Sequence, residues 1–270
     1  MKRTLVNVSK YGFLILVSFI SLFPLFWMAV SATNSSLSVI RGSLLPGTEL
    51  LNNYRNLVGN QQLWRAMTNS FVNALSLTLL ALVVCSVAGY AFEIYHTKMK
   101  DGLMSVLLMA MMIPFAATMI PLFRMFSQMK NLFSPTMAVI LPTVSTPFLI
   151  MLFRQSARSF PHDIIEAARI DGLGEFRIFV QMFFPTMRST YAAGMTIVFM
   201  NAWNNYLWPK IILYDPASIT MPMLVSNLIQ GYVTDYGMLM LAVLICTLPT
   251  IIIFFFLQKS FSQGIIGAVK

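Results

Sequence analysis

The sequence predicts an all-α, polytopic membrane protein with six transmembrane helices in a single domain, residues 1–270, and three observations carry that prediction. Hydrophobic residues make up 57% of the chain and charged residues only 10%, with a mean hydropathy of +0.74, whereas soluble domains carry about a quarter charged residues. Six apolar stretches approach the ~20 residues that cross a hydrocarbon core as a helix. Finally, the scarce Lys and Arg gather on alternate connections between those stretches, as the positive-inside rule requires of a membrane protein.

The first span, 11–32, follows Lys2, Arg3 and Lys10. Its apolar run exceeds the ~7–15 residues of a signal-peptide core and contains Pro24 and Trp27, so it is expected to remain as an anchor. Residues 33–70 form the first long connection. Leu44-Leu45-Pro46-Gly47-Thr48 marks a turn there, and Trp64 suits an interfacial position. The second to sixth spans are expected at 71–92, 103–123, 137–153, 191–208 and 238–257. Pro114, Pro121 and Pro142 fall within them, where proline kinks or breaks a helix.

Charge sets the expected orientation. With both termini cytoplasmic, Lys2, Arg3, Lys10, Lys98, Lys100, Arg154, Arg158, Arg169, Arg177, Arg188, Lys259 and Lys270 lie inside. Arg41, Arg55, Arg65, Lys130 and Lys210 lie outside. Arg124 and Glu93 sit near span ends, where their side chains are expected to snorkel to the interface.

The second long connection, 154–188, holds four of the nine acidic residues, Asp163, Glu166, Asp171 and Glu175. Pro161 opens a short helix, in which Ile164, Ala167 and Ala168 share one small apolar face. Gly172 stands where a C-terminal cap belongs. A second helix is expected from Glu175, with Phe176, Phe179, Val180, Phe183 and Phe184 on one side, until Pro185 stops it.

Other classes are excluded or weakened by what the residues lack. The basic residues are scattered, which speaks against a nucleic-acid partner. Cys85 and Cys246 have no metal-spaced neighbours. The spans contain no Asp, and the two histidines, His96 and His162, fall in connections, so an intramembrane enzyme lacks its chemistry. No G-x-x-x-x-G-K-[ST] loop is present. An ion-coupled secondary transporter shares the hydropathy, but mid-span ionisable groups and repeated halves are not evident.

The spacing Glu166-Ala167-Ala168, Gly172, Met182, Phe184, Pro185 resembles the EAA motif, EAA-x3-G-x9-I-x-L-P, of permease subunits of bacterial ABC importers. Asp171-Gly172, Phe160-Pro161, Pro24-Leu25-Phe26-Trp27, Asn69-Ser70-Phe71, the segment from Trp203 to Pro209, and the tail after Gln263 are similar to the carbohydrate-uptake branch. That branch includes the second permeases of maltose-type and glycerol-3-phosphate-type systems.

The resemblance implies a type I importer permease fold that supplies half of a translocation pore, in the bacterial cytoplasmic membrane. Expected partners are a second homologous permease, a cytoplasmic ATPase dimer, an extracytoplasmic substrate-binding protein and the lipid bilayer. No cofactor or metal is expected in this chain, because ATP and Mg would be bound by the ATPase. The resemblance makes the helix that carries Glu166-Ala167-Ala168, within the 154–188 connection, a coupling helix. Glu166, Ala167, Ala168, Arg169, Asp171, Gly172 and Pro185 would then serve contact with the ATPase, and Gln263, Gly264, Gly267 and Lys270 a tail that reaches it in extended form.

Trp203, Asn204, Asn205, Tyr206 and Trp208 are candidates for the outer interface or the pore, with interfacial anchoring the first expectation. The expected substrate is a neutral di- or oligosaccharide. Glycerol phosphate and a polyol are the alternatives.

Overall fold

A computed structural model describes residues 2–129, 134–230 and 234–269. Lys130 and Lys270 lie outside the described residues. Every regular element among those described is helical.

Helix α1 (Lys2–Ser31) carries Pro24 in its interior. α2 (Ser36–Ile40) starts at Ser35, whose hydroxyl accepts the Ser38 N–H. α3 (Leu50–Asn60) and α4 (Leu63–Ile94) follow, so Trp64 opens α4, largely exposed. α5 (Lys98–Ala110) is capped by the Thr97 hydroxyl and has Asp101 in its first turn. α6 (Phe115–Gln128) begins after Pro114, and α7 (Pro135–Ile140) after the capping Ser134. A 3-10 turn, Leu141–Thr143, precedes α8 (Pro147–Ala157).

The 154–188 connection contributes α9 (His162–Ile170), α10 (Glu175–Ile178), a π-helical turn at Phe179–Phe183 and α11 (Phe184–Thr186). The chain finishes with α12 (Arg188–Trp203), α13 (Leu207–Ile212), α14 (Met221–Ile229) and α15 (Tyr236–Val269).

Three stretches are single helices long and apolar enough to cross a membrane: Ser9–Ser31, Leu63–Ile94 and Tyr236–Gln258. They coincide with the expected first, second and sixth spans. The expected third span is not one helix. α5 and α6 meet at 98°, because a proline ring excludes the α conformation from the residue before it and removes a backbone donor. Pro114 itself is extended, with ψ 135°, which turns the chain out of the helical path.

The expected fourth span is also bent, by 54° between Pro135–Thr143 and Pro147–Ala157. Thr146, just before Pro147, is likewise extended. In the expected fifth span the helix ends at Trp203 after 16 residues, about 24 Å of rise. There the Asn204 amide turns back onto the Met200 carbonyl at 2.9 Å.

The chain divides into two compact units, Met1–Met67 with Met221–Pro249, and Thr68–Thr220 with Thr250–Lys270. In the first unit, two buried asparagines tie the 33–62 connection to the end of α1. Asn53 donates to the carbonyls of Ala32 (2.9 Å) and Asn34 (3.0 Å), and Asn34 donates to Val30 (3.1 Å) and Leu45 (2.9 Å). Asp235 caps α15 through the N–H groups of Gly237 and Met238, and accepts the Ser36 hydroxyl.

The second unit contains the site. One cluster packs Leu82 and Cys85 of α4 with Met104 of α5 and Leu149, Ile150 and Phe153 of α8. Gly89 lets α4 approach α8: a Cβ there would stand 2.6 Å from Phe153 Cβ and 2.8 Å from the Arg154 nitrogen. A second cluster joins Tyr90, Phe160, Ile165, Ala168, Ile178, Phe183 and Met187, and so holds the 154–188 connection against α4.

Candidate functional site

The α9–α10 pair is built by a Schellman turn. Leu173 N–H bonds the Ala168 carbonyl (3.0 Å) and Gly172 N–H that of Arg169 (3.1 Å), with Gly172 at φ +79°. This is the left-handed geometry a C-terminal glycine supplies. Arg169 and Glu175 then meet across the turn, Nε to Oε1 2.7 Å, and Arg169 also lies over the Tyr95 ring. The Arg169 guanidinium, followed by the Tyr95 hydroxyl, holds the Glu175 carboxyl below the usual carboxylate range. Burial, then its hydrogen bond to Glu175, raises the Tyr95 phenol.

The burial pattern corrects the expected faces. Ile165 and Ala168 are each 1% exposed, and both pack in the chain's own cluster. Ala168 therefore permits close packing within this chain. Ile164, Glu166, Ala167, Asp171 and Pro161 are on the exposed side. Among the described residues Glu166 and Asp171 have no side-chain hydrogen bond or ion pair, whereas Arg169 is engaged by Glu175.

The second helix is also rotated from its expected register. The chain widens into a π turn at Phe179–Phe183, ahead of Pro185, which can neither donate to residue 181 nor fit against its carbonyl in a regular α turn. Pro185 thus distorts the helix without stopping it, and the helix runs on to Thr186. Ile178 and Phe183 go inward, while Phe176 is 80% exposed.

A charge cluster centred on one buried residue lies beside this connection. Arg154, 4% exposed, sits 3.2 Å from Glu93 Oε2 and also pairs with Asp101; Arg158 reaches Glu93 at 3.4 Å, and His96 reaches Asp101 at 2.9 Å. Glu93 is therefore a structural partner of Arg154. Nothing local in the sequence pairs α4, α5 and α8 in this way.

Trp203 and Trp208 are 1% and 0% exposed, so neither anchors at an interface or faces a pore. Trp203 stacks on Phe199. Trp208 lies edge-on to Phe115 and Phe126 and donates its indole N–H to the Ala138 carbonyl at 3.0 Å. Asn204 caps α12 and Tyr206 is half-buried. Asn205 alone of this group borders a cavity of about 590 Å³, which also touches both helix breaks through Met111 and Thr146. The tail differs from expectation too: α15 continues through Gln263, Gly264 and Gly267 to Val269, so it is helical and not extended.

Long apolar helices, two helix pairs bent at proline-marked breaks around a cavity, and a short exposed helix clamped to the bundle define a multi-pass membrane permease. Residues 86–267 match the family model described as "Binding-protein-dependent transport system inner membrane component", and the chain belongs to that family.

Among its relatives, the lactose transport system permease protein LacG of Rhizobium radiobacter is 40% identical, over 100% of this chain and 98% of that protein. The arabinooligosaccharides transport system permease protein AraQ of Bacillus subtilis (strain 168) is 34% identical, over 96% and 94%. The sn-glycerol-3-phosphate transport system permease protein UgpE of Shigella flexneri serotype 5b (strain 8401) is 30% identical, over 99% of each. A crystal structure of a bacterial ABC transporter involved in the import of the acidic polysaccharide alginate shares the fold, with a TM-score of 0.83 at 18% identity over 97% of this chain and 98% of that one.

Proposed function

We propose that this chain is one of two homologous membrane subunits of an ATP-driven importer for a di- or oligosaccharide, working with a cytoplasmic ATPase dimer and an extracytoplasmic binding protein. Both termini are cytoplasmic, six membrane crossings are made, two of them through bent helix pairs, and ATP and Mg are held by the ATPase. The names of the lactose and arabinooligosaccharide permeases support the substrate class, and the EAA spacing supports the coupling role.

The observation that carries the coupling reading is the two-sidedness of α9. Its inner side, Ile165 and Ala168, is locked to the bundle, while Glu166 stands exposed without a partner among the described residues. A docked ATPase that supplies a cation to Glu166 gains an ion pair, and force applied to α9 passes through packed side chains to α4 and α12. Ala167 and Ile164 offer the apolar part of the contact, and Gly172 and Pro185 shape the frame behind it. A helical tail ending at Val269 serves the same partner by unwinding or by lying alongside it.

The test is Glu166→Lys in the assembled complex in lipid vesicles. Sugar uptake falls at least about tenfold, the scale of one lost charge pair turned repulsive, while the complex still co-purifies with its second permease. Unchanged uptake overturns the coupling role.

A further inference from the structure

We infer that the cavity between the two helix breaks and the end of α12 is a subsite for a neutral sugar unit, on this chain's own half of the pore. The inference rests on the importer reading above and narrows its substrate chemistry. The cavity measures about 590 Å³, within the roughly 300–1,000 Å³ of small-molecule sites.

Three observations carry it. First, both broken helix pairs contribute to it, Phe115 from the first break, and Thr143, Thr146 and Phe148 from the second. Broken backbone at membrane depth is tolerated where it is enclosed by protein or lines a water-filled space. Met111, which lines the cavity from the first break, has a carbonyl that accepts no backbone N–H among the described residues.

Second, the polar side chains around the cavity are available. Asn201, Asn205 and Thr146 make no side-chain hydrogen bond among the described residues; Thr143 bonds the Ile140 carbonyl at 3.3 Å. Asn201 is exposed and Asn205 and Thr146 are half-buried, and none of the three has a protein partner among the described residues to give up before bonding a ligand. They match a ligand that carries many hydroxyls as donors and acceptors.

Third, the lining contains no charged side chain. A phosphate or carboxylate would enter without a counter-charge to offset its lost hydration, whereas a neutral pyranose can lay its apolar face on Phe115 or Phe148 and turn its hydroxyls to the amides. The chemistry therefore selects uncharged sugar over glycerol phosphate or an acidic polysaccharide.

The experiment places single cysteines at Asn205→Cys and, on a different element, Thr146→Cys in the full complex, with co-purification of the second permease as the check on folding. The unaltered chain, with Cys85 and Cys246, sets the labelling background. Lactose, arabinotriose and glycerol 3-phosphate are first tried as transport substrates of the unaltered complex. The sugar that is imported is then used as the protecting ligand against a water-soluble maleimide, with vanadate and ATP to trap the transporter.

Both cysteines are expected to label and to be slowed about fivefold or more by the sugar, as occupancy of a shared space requires. Absence of labelling in an assembled complex, or labelling at the same rate with and without sugar, overturns the subsite and leaves the importer reading intact. Import of glycerol 3-phosphate alone overturns its neutral selectivity. Failure of the unaltered complex to import either sugar overturns the carbohydrate reading and the subsite together.

Discussion

Arg169 Nε stands 2.7 Å from Glu175 Oε1, bridging the glycine turn that joins α9 to α10. Both side chains are 41–44% exposed, so the pair orients the hairpin more than it stabilises the fold. Glu175→Gln is expected to raise hydrogen exchange at the Leu173 amide about two- to fivefold at neutral pH, the scale of an exposed pair. Because the Glu175 carboxyl is held below its ordinary range by Arg169 and Tyr95, its contribution is present above the unfolded-state value and lost as pH falls through the depressed folded value. The difference between variant and wild type, compared at each pH, should therefore persist through mild acid and vanish below the normal Glu range. A difference that disappears already near pH 6 would sink this account.

Gly172 poses a purely conformational demand. Nothing lies within 4 Å of a Cβ added there, yet φ is +79°. Gly172→Ala should cost about 1–2 kcal/mol of local stability through the left-handed penalty, seen as faster exchange across α9 and weaker coupling of ATP hydrolysis to uptake. Gly172→Asn, which tolerates that region better, should recover part of both.

Gly89 poses a steric one. Gly89→Ala places a Cβ against Phe153 Cβ and the α8 backbone, and the expected overpacking cost of about 1–3 kcal/mol exceeds the ~1 kcal/mol gained by removing a helical glycine. In Gly12→Ala, where nothing lies within 4 Å, only the gain remains. Thermal unfolding in detergent should therefore shift in opposite directions for the two variants.

Arg154 is the charge whose removal should matter most to stability. Arg154→Ala leaves Glu93, 15% exposed, with only the longer contact to Arg158, and should cost about 3–5 kcal/mol. Adding Glu93→Gln should restore a sizeable part of it, since Asp101 is 45% exposed and can hydrate. If the double variant is as unstable as the single one, packing of Arg154 on Phe92 outweighs its charge.

How far the sequence could be read depended on the range of the interaction involved. Apolar content and run length located the helices that became α1, α4 and α15, since a residue's affinity for lipid is its own property. The glycine turn at Gly172 was legible for the same reason: the need for a positive φ is local. Pro114 flagged the first break, but the second opens at Pro147, beyond Pro142, and Pro121 lies inside α6 without breaking it. The angles and the cavity both breaks border were not legible, because a proline removes a donor without specifying where the chain goes next.

The faces of the loop helices were read less well. A regular 3.6-residue period put Ile164 and Ala167 with Ala168, and Phe176 with Phe183. The folded chain buries Ile165 and Ala168 and, after its π turn, Ile178 and Phe183, since which side goes inward depends on the surface offered by Tyr90 and Met187. Trp203 and Trp208 looked like interface anchors because aromatic composition is the same in a belt and in a core. The sequence was enough to establish a polytopic membrane protein with a loop helix pair, by local hydropathy, charge placement and backbone freedom, and its EAA spacing carried the resemblance to importer permeases. The Arg154 cluster, the inward turn of Ala168 and the uncharged cavity beside Asn205 arise only when distant helices meet, because packing and pairing energies depend on partners that no local stretch of chain specifies.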